Sequence, residues 1–186
     1  MVGRNILEHP MTADWEVLSP PRTELDLTNC AALEDWMNRY RPDAVIHAAG
    51  RVGGIQANLS QAVSFLVTNV DLGRNVLLAS KNTGVTQFLN LGSSCMYPKG
   101  AVNPLVEDMI LTGELEPTNE GYAIAKIFVA RLCQYIRREN PELQYKTLIP
   151  CNLYGRYDKF SPEISHLIPS IIDKVHKAKS NGESAV

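Results

Sequence analysis

Tyr122 and Lys126 stand four residues apart in the run "GYAIAK" (121–126). On a helix that spacing puts the phenol and the ammonium on one face. A phenol titrates near ~10 and is a poor acid–base group at neutral pH, but a fixed ammonium nearby stabilises the phenolate and brings it toward working range. Alone, such a pair is an ordinary surface feature. It becomes specific when the end of the preceding strand supplies a hydroxyl that can hold a substrate carbonyl or hydroxyl beside the phenol. The run "LGSSCMYPK" (91–99) offers Ser93 and Ser94 there, followed by a lone thiol, Cys95. A serine cannot remove a carbon-bound proton near neutral pH. A thiol, with a reference pKa near ~8.5, can do so when a cation or a helix end lowers it.

These residues need elements to position them. Short apolar runs, "WEVLS" (15–19), "AVIHAA" (44–49), "QFLNLGS" (87–93) and "YKTLIPC" (145–151), read as buried parallel strands. Between them lie helical patterns. Residues 28–40 open on Thr28-Asn29 as possible N-caps and space Ala32, Leu33, Trp36, Met37 and Tyr40 along one face. Further helices are expected over about 58–82, about 120–139, and from near Ser165 to Asn181-Gly182. Alternating strands and helices imply an α/β fold, a parallel sheet with helices on both faces. The opening "MVGRNIL" reads as the first helix of a nucleotide-binding domain, with Gly3 as the last glycine of the turn that holds a pyrophosphate.

Composition narrows the class. The chain has 186 residues, 45% apolar and 20% charged, enough for one ordinary core. A net charge of −2 without a basic run leaves no electrostatic footprint for nucleic acid and no polybasic membrane patch. No apolar segment approaches the ~20 residues of a membrane span, and no signal-peptide core opens the chain. Cys30, Cys95, Cys133 and Cys151 are widely spaced, which suggests neither a metal site nor a disulfide framework. A reduced, cytoplasmic protein is expected. His47 and Cys133 read as core, Cys30 as helix packing, Cys151 as strand-end filling, and His9 and His176 as exposed helix residues.

With these runs in view, the chain resembles the extended short-chain dehydrogenase/reductases and, within them, the GDP-L-fucose synthase branch. The resemblance rests on "RVGGIQAN" (51–58), "LGSSCMYPK" (91–99), "LEPTNEGYAIAK" (115–126), "NLYG" (152–155) and "SHLIP" (165–169). It implies a Rossmann-like doubly wound parallel sheet and an NADPH-dependent epimerase-reductase that converts GDP-4-keto-6-deoxy-mannose to GDP-L-fucose. GDP-colitose synthase, or another nucleotide-sugar 4-keto epimerase-reductase, is the near alternative. A non-catalytic NADP-binding interaction protein is the alternative of another class. Ser93, Tyr122 and Lys126 would form the reductase triad, with Cys95 and His166 the acid–base pair of epimerisation.

The resemblance also implies cofactor contacts. Arg22 would read the 2′-phosphate of NADP, where a guanidinium suits a phosphate. Asp26 and Leu27 would flank the adenosine. Ala49, Gly50, Leu91, Gly92, Ser93, Ser94 and Lys126 would lie along the dinucleotide, and Pro150, Asn152, Leu153 and His166 on its nicotinamide side. Lys174 would bind the pyrophosphate of the GDP-sugar. A homodimer through the helices at 58–82 and 120–139 is implied as well.

Two departures stand out. Relatives often carry Pro-His-Asp-Asn after "NLYG", whereas this chain reads Arg156-Tyr157-Asp158-Lys159. The chain also reads as incomplete, an NADP-binding core over 1–186 lacking its first strand and a C-terminal substrate domain, with impaired activity. The missing strand is expected between 15–19 and 87–93.

Overall fold

The computed structural model describes residues 1–160 and 165–182. Three strands, β1 (Ala44–His47), β2 (Gln87–Leu91) and β3 (Gln144–Leu148), form a parallel sheet in the order β1-β2-β3. The register pairs Ala44 with Gln87 and Gln87 with Gln144. Six α-helices accompany them among the described residues: α1 (Val2–Leu7), α2 (Cys30–Tyr40), α3 (Ile55–Ser60), α4 (Ala62–Asn82), α5 (Glu120–Glu139) and α6 (Leu167–Asn181).

Side chains alternate across a strand, so each strand offers two faces. His47, Phe88, Asn90 and Tyr145 point to one face and are buried. There Phe88 and Tyr145 pack with Val76 and Leu77 of α4, Val129, Cys133 and Ile136 of α5, and Leu33 and Met37 of α2. The other face is only partly covered, with Ile46 38% and Leu148 54% exposed. The α/β class is therefore as expected, but the sheet is not equally buried on both faces.

The long helices fall where periodicity places them. Asn29 caps α2 by accepting from the Ala32 amide at 3.1 Å, and Arg41 closes that helix in the left-handed region at φ 45°. The helix expected over 58–82 is two helices, because Gln61 leaves helical geometry at φ −136° and separates α3 from α4. α5 spans the expected residues, and Gly182 ends α6 at φ 73°, a conformation that glycine adopts without a Cβ penalty. α4 and α5 approach closely at Gly73, where an added Cβ would lie 2.3 Å from Val129 Cγ2.

The strands correct the reading more strongly. Residues 15–19 form no strand, and Trp15 and Val17 are exposed. An extended run becomes a strand only through ladder bonds to a neighbour, and residues 15–19 pair with none of the three. β1 pairs directly with β2, so the sheet has no gap on that side of residues 87–91. The runs at 44–49, 87–93 and 145–151 stop pairing at His47, Leu91 and Leu148. Beyond those points the chain leaves regular strand geometry and forms the loops of the site. Among the described residues no helix is long and apolar enough to cross a membrane.

Candidate active site

The site forms where β2 leaves the sheet. Gly92 N donates to Leu148 O at 2.8 Å and Ser94 N to Pro150 O at 3.1 Å, holding the loop beside the chain that leaves β3. Gly92 sits in a tight space, where a Cβ would meet Met96 Sδ at 3.0 Å and Leu148 O at 3.2 Å, so a side chain there would have to displace its neighbours by a few tenths of an ångström. Ser93 is extended (φ −160°, ψ 150°) and caps a 3₁₀ turn at Ser94–Met96, its Oγ accepting from the Cys95 amide at 3.4 Å. That turn buries Met96 and holds Cys95 at the edge of the site, half-buried.

α5 brings the other pair. Tyr122 lies in its first turn and Lys126 one turn later. Lys126 is buried, donates from Nζ to Leu91 O at 2.9 Å, and lies 5.5 Å from the centre of the Tyr122 ring. The ammonium is thus anchored on the last carbonyl of β2, and Ser93, Cys95, Tyr122 and Lys126 come together.

Burial decides the electrostatics. Desolvation drives the Tyr122 phenol far above its usual range, and the charge of Cys95 adds to the shift. Desolvation also raises the Cys95 thiol, against the opposing pull of Ser93 and Lys126. Lys126 itself is lowered by burial, with Cys95 acting the other way. The expectation that the ammonium brings phenol and thiol toward neutrality is therefore reversed in this structure. A group removed from water favours its neutral form, and here that outweighs a nearby charge. As the site stands, Tyr122 is a held proton donor and Cys95 a protonated thiol.

Two buried polar residues support the cluster; His47 was expected in the core, whereas the role of Asn69 was passed over. His47 at the end of β1 is buried, and desolvation first, then the Lys126 charge, pull its pKa to about 4. It is a neutral core imidazole, as expected of its strand position. Asn69 of α4 accepts from Arg51 N at 2.9 Å and donates to Arg51 O at 3.0 Å and Phe65 O at 2.7 Å. It thereby fixes the loop after β1. A Cβ on Gly50 would sit 3.2 Å from Asn69 Oδ1 and 3.9 Å from Lys126 Nζ, so the missing side chain leaves a shallow cradle beside the ammonium. A buried asparagine inside an apolar helix run was the signal available for Asn69.

The remaining candidates lie further out. Gly3 packs toward the end of β1, its ideal Cβ 3.7 Å from Ala48 Cβ. Ala49 and Gly50 are exposed at the tip of β1. Arg22 has its side chain 84% exposed and loosely paired with Asp26, Nη2 to Oδ2 3.7 Å. Asp26 accepts from Thr28 N and Oγ1, which together with Arg22 hold its carboxyl below the usual range. Leu27 packs partly on the core. Pro150 is half-buried, and Asn152 and Leu153 are exposed.

His166 is the exposed N-cap residue of α6, and Lys174 is exposed on the same helix. Cys151, expected to fill space at a strand end, is exposed because β3 ends three residues earlier. Cys133 is buried as expected, its thiol raised to about 11 by desolvation. His9 caps a 3₁₀ turn with Nδ1 instead of lying on an α-helix. The substituted loop is tied to α1: Asn5 donates to Arg156 O at 2.9 Å, and Tyr157, at φ 66°, donates its hydroxyl to Glu8. An open groove of about 910 Å³ between Pro98 and Glu114 is lined by none of these residues, and the chemistry does not reside there.

Comparison with known proteins places this arrangement. A model of the NAD dependent epimerase/dehydratase family matches residues 1–185. A GDP-L-colitose synthase of Yersinia pseudotuberculosis is 54% identical over 186 residues, covering all of this chain and 60% of that protein. A GDP-L-fucose synthase of Azorhizobium caulinodans is 47% identical, again over the whole chain and 59% of its own length. The chain thus spans about three fifths of the length of these relatives. Among solved structures, a GDP-L-fucose synthetase from Naegleria fowleri bound to NADP superposes with TM-score 0.81 at 29% identity, over 91% of this chain and 55% of that one. The family match across the chain, the shared Rossmann-like fold and the cluster at the end of β2 agree, and the chain belongs to the NAD dependent epimerase/dehydratase family.

Proposed function

We propose that the chain carries the catalytic core of an NADPH-dependent epimerase-reductase acting on a GDP-linked 4-keto-6-deoxy sugar, converting GDP-4-keto-6-deoxy-mannose to GDP-L-fucose. The observation that carries this reading is the convergence of Ser93, Cys95, Tyr122 and Lys126 at one strand end, with Lys126 anchored on Leu91 O. NADPH fits the residues present. The cradle at Gly50 leaves room beside Lys126, and the exposed guanidinium of Arg22 suits a 2′-phosphate. When bound, it supplies a hydride for a ketone carbon. Gly3, Ala49, Leu91, Gly92, Ser94, Pro150, Asn152 and Leu153 would line its path.

The chain's own groups divide the remaining work. Tyr122, kept protonated by burial, gives its proton to the ketone oxygen as that oxygen gains charge. Ser93 donates a hydrogen bond to the same oxygen, and Lys126 steadies the developing phenolate. Cys95 removes the proton on a carbon next to the ketone once the bound sugar and Lys126 favour its thiolate, and His166 returns a proton from the opposite side. Lys174 meets the nucleotide pyrophosphate.

A second reading, GDP-colitose synthesis, is favoured by the 54% identity to the Yersinia pseudotuberculosis protein. It uses the same residues on a different ring. Exposed Val63 and Val67 on α4 and Ile124 and Phe128 on α5 support a homodimer through these helices, and free thiols throughout fit a reducing cytoplasm.

The test supplies each GDP-4-keto sugar with NADPH in deuterated water and follows both cofactor oxidation and deuterium uptake at the ring carbons. Exchange and oxidation with one of the two sugars identifies the reaction. Neither process with either sugar would remove the catalytic reading.

A further inference from the structure

Asn75 lies on the buried face of α4, remote from Tyr122 and Cys95 in sequence, and the chemistry above does not use it. Its Nδ2 donates to two consecutive backbone carbonyls of a distant loop, Leu27 O at 3.1 Å and Thr28 O at 3.1 Å. Its Oδ1 accepts from Arg74 Nε at 3.3 Å and Nη2 at 3.2 Å. A guanidinium can only donate and a carbonyl can only accept, so the orientation of this amide is settled by its partners. Asn75 is buried, and an amide taken from water is retained only when its hydrogen bonds are made. The two bonds span 48 and 47 residues of sequence. They tie a helix of the core to the stretch that follows Arg22.

That stretch is otherwise held at few points. Leu25 enters the core, Leu27 packs partly against it, and Asn29 caps α2. Between them Asp26 is engaged locally, by Thr28 and by Arg22 at 3.7 Å. Asn75 takes up the carbonyls on the inner side of Leu27 and Thr28, which leaves Arg22 and Asp26 on the outer side facing solvent. A loop whose inner carbonyls are fixed presents its outer side chains in one arrangement and loses less entropy when it captures a ligand.

We propose that Asn75 is a positioning residue for the adenosine 2′-phosphate half of the dinucleotide, acting through Arg22, Asp26 and Leu27. The inference rests on the reading that this chain binds NADPH. It assigns to α4 a part in cofactor binding separate from the hydride chemistry at the other end of the cofactor. Removing the amide leaves two inner carbonyls unpaired and frees the loop, so affinity falls for ligands that contact the loop and stays level for those that do not.

The experiment titrates 2′,5′-ADP and reduced nicotinamide mononucleotide into the unmodified chain, Asn75→Leu and Ser80→Ala by calorimetry. Ser80 is buried on the same helix, but its hydroxyl bonds only to Val76 O and Met37 Sδ. It reports what a merely structural loss does. The expected result is about a tenfold or greater loss of 2′,5′-ADP affinity in Asn75→Leu. Nicotinamide mononucleotide binding should stay within about twofold, and both ligands should be unchanged in Ser80→Ala. Equal weakening of both halves in Asn75→Leu, or no weakening of either, overturns the proposal. If the unmodified chain binds neither half, the cofactor reading falls and the proposal with it. If it binds 2′,5′-ADP and Asn75→Leu does not fold, nuclear magnetic resonance of the unmodified chain decides. The Asn75 side-chain amide should shift with 2′,5′-ADP and not with the mononucleotide, and an unmoved amide overturns the proposal.

Discussion

The ammonium of Lys126 and the carbonyl of Leu91 meet at 2.9 Å, tying the second turn of α5 to the last residue of β2. The bond fixes where the Tyr122 helix face stands relative to the Ser93–Cys95 turn. It also spends one ammonium proton on the backbone instead of on the phenol. With both groups buried, Tyr122 stays protonated and Lys126 loses some of its affinity for a proton. The geometry suits a proton donor that acts only when charge develops on a neighbouring oxygen.

Exchange and reduction should separate by mutation. Cys95→Ser is expected to lower solvent-deuterium uptake into the 4-keto sugar by orders of magnitude, while a sugar already in product configuration is still reduced. Tyr122→Phe should spare exchange and lower hydride transfer by about 10²–10⁴-fold, the usual contribution of a positioned acid. Mass spectrometry of the sugar and nicotinamide absorbance give the two readouts. Intact exchange in Cys95→Ser would mean that the thiol only fills space.

Arg22→Ala should weaken NADPH by about 10–100-fold and NADH hardly at all, since a charge-assisted bond of about 1.5–3 kcal/mol has only one of the two to act on. Fluorescence titration of both cofactors checks this. Equal losses would show that Arg22 is a solvated loop residue.

His47 makes stability depend on acid. Its folded pKa of about 4 lies below the unfolded value of 6.5, so the unfolded chain takes up a proton first as pH falls. The contribution is fully present above pH 6.5 and is lost as pH falls toward 4. By about pH 5 the loss from this group is about 2 kcal/mol. Urea midpoints at neutral pH and at pH 5 should therefore differ less in His47→Leu than in the unmodified chain. An unaltered difference would assign the acid sensitivity to other groups.

Gly73→Ala should destabilise the fold by about 1–3 kcal/mol, the cost of overpacking. The new Cβ would stand 2.3 Å from Val129 Cγ2. Adding Val129→Ala should recover part of the loss, because the two substitutions share one contact. Thermal melts of the two single variants and the double variant measure this, and strict additivity would place the strain elsewhere.

Local chemistry wrote much of this protein into its sequence. The four-residue step from Tyr122 to Lys126, the cap at Asn29 and the span of α5 follow from bonds within a few residues, and all were legible. Cys133 and His47 were legible as core from their apolar surroundings. What depends on distant neighbours was not. Residues 15–19 have the composition of a strand, but a ladder requires a partner that no local pattern names. The direction of the Tyr122 and Cys95 shifts turned on burial, and burial is set by how α4, α5 and the sheet close over a group. The ammonium suggested one sign and desolvation imposed the other. Asn75 shows the same limit, since an asparagine on an apolar helix face signals only that some buried partner exists. Which carbonyls it holds, 48 and 47 residues away, was decided by the packing of α4 against the loop before α2, because hydrogen bonds across the core exist only once the core has formed.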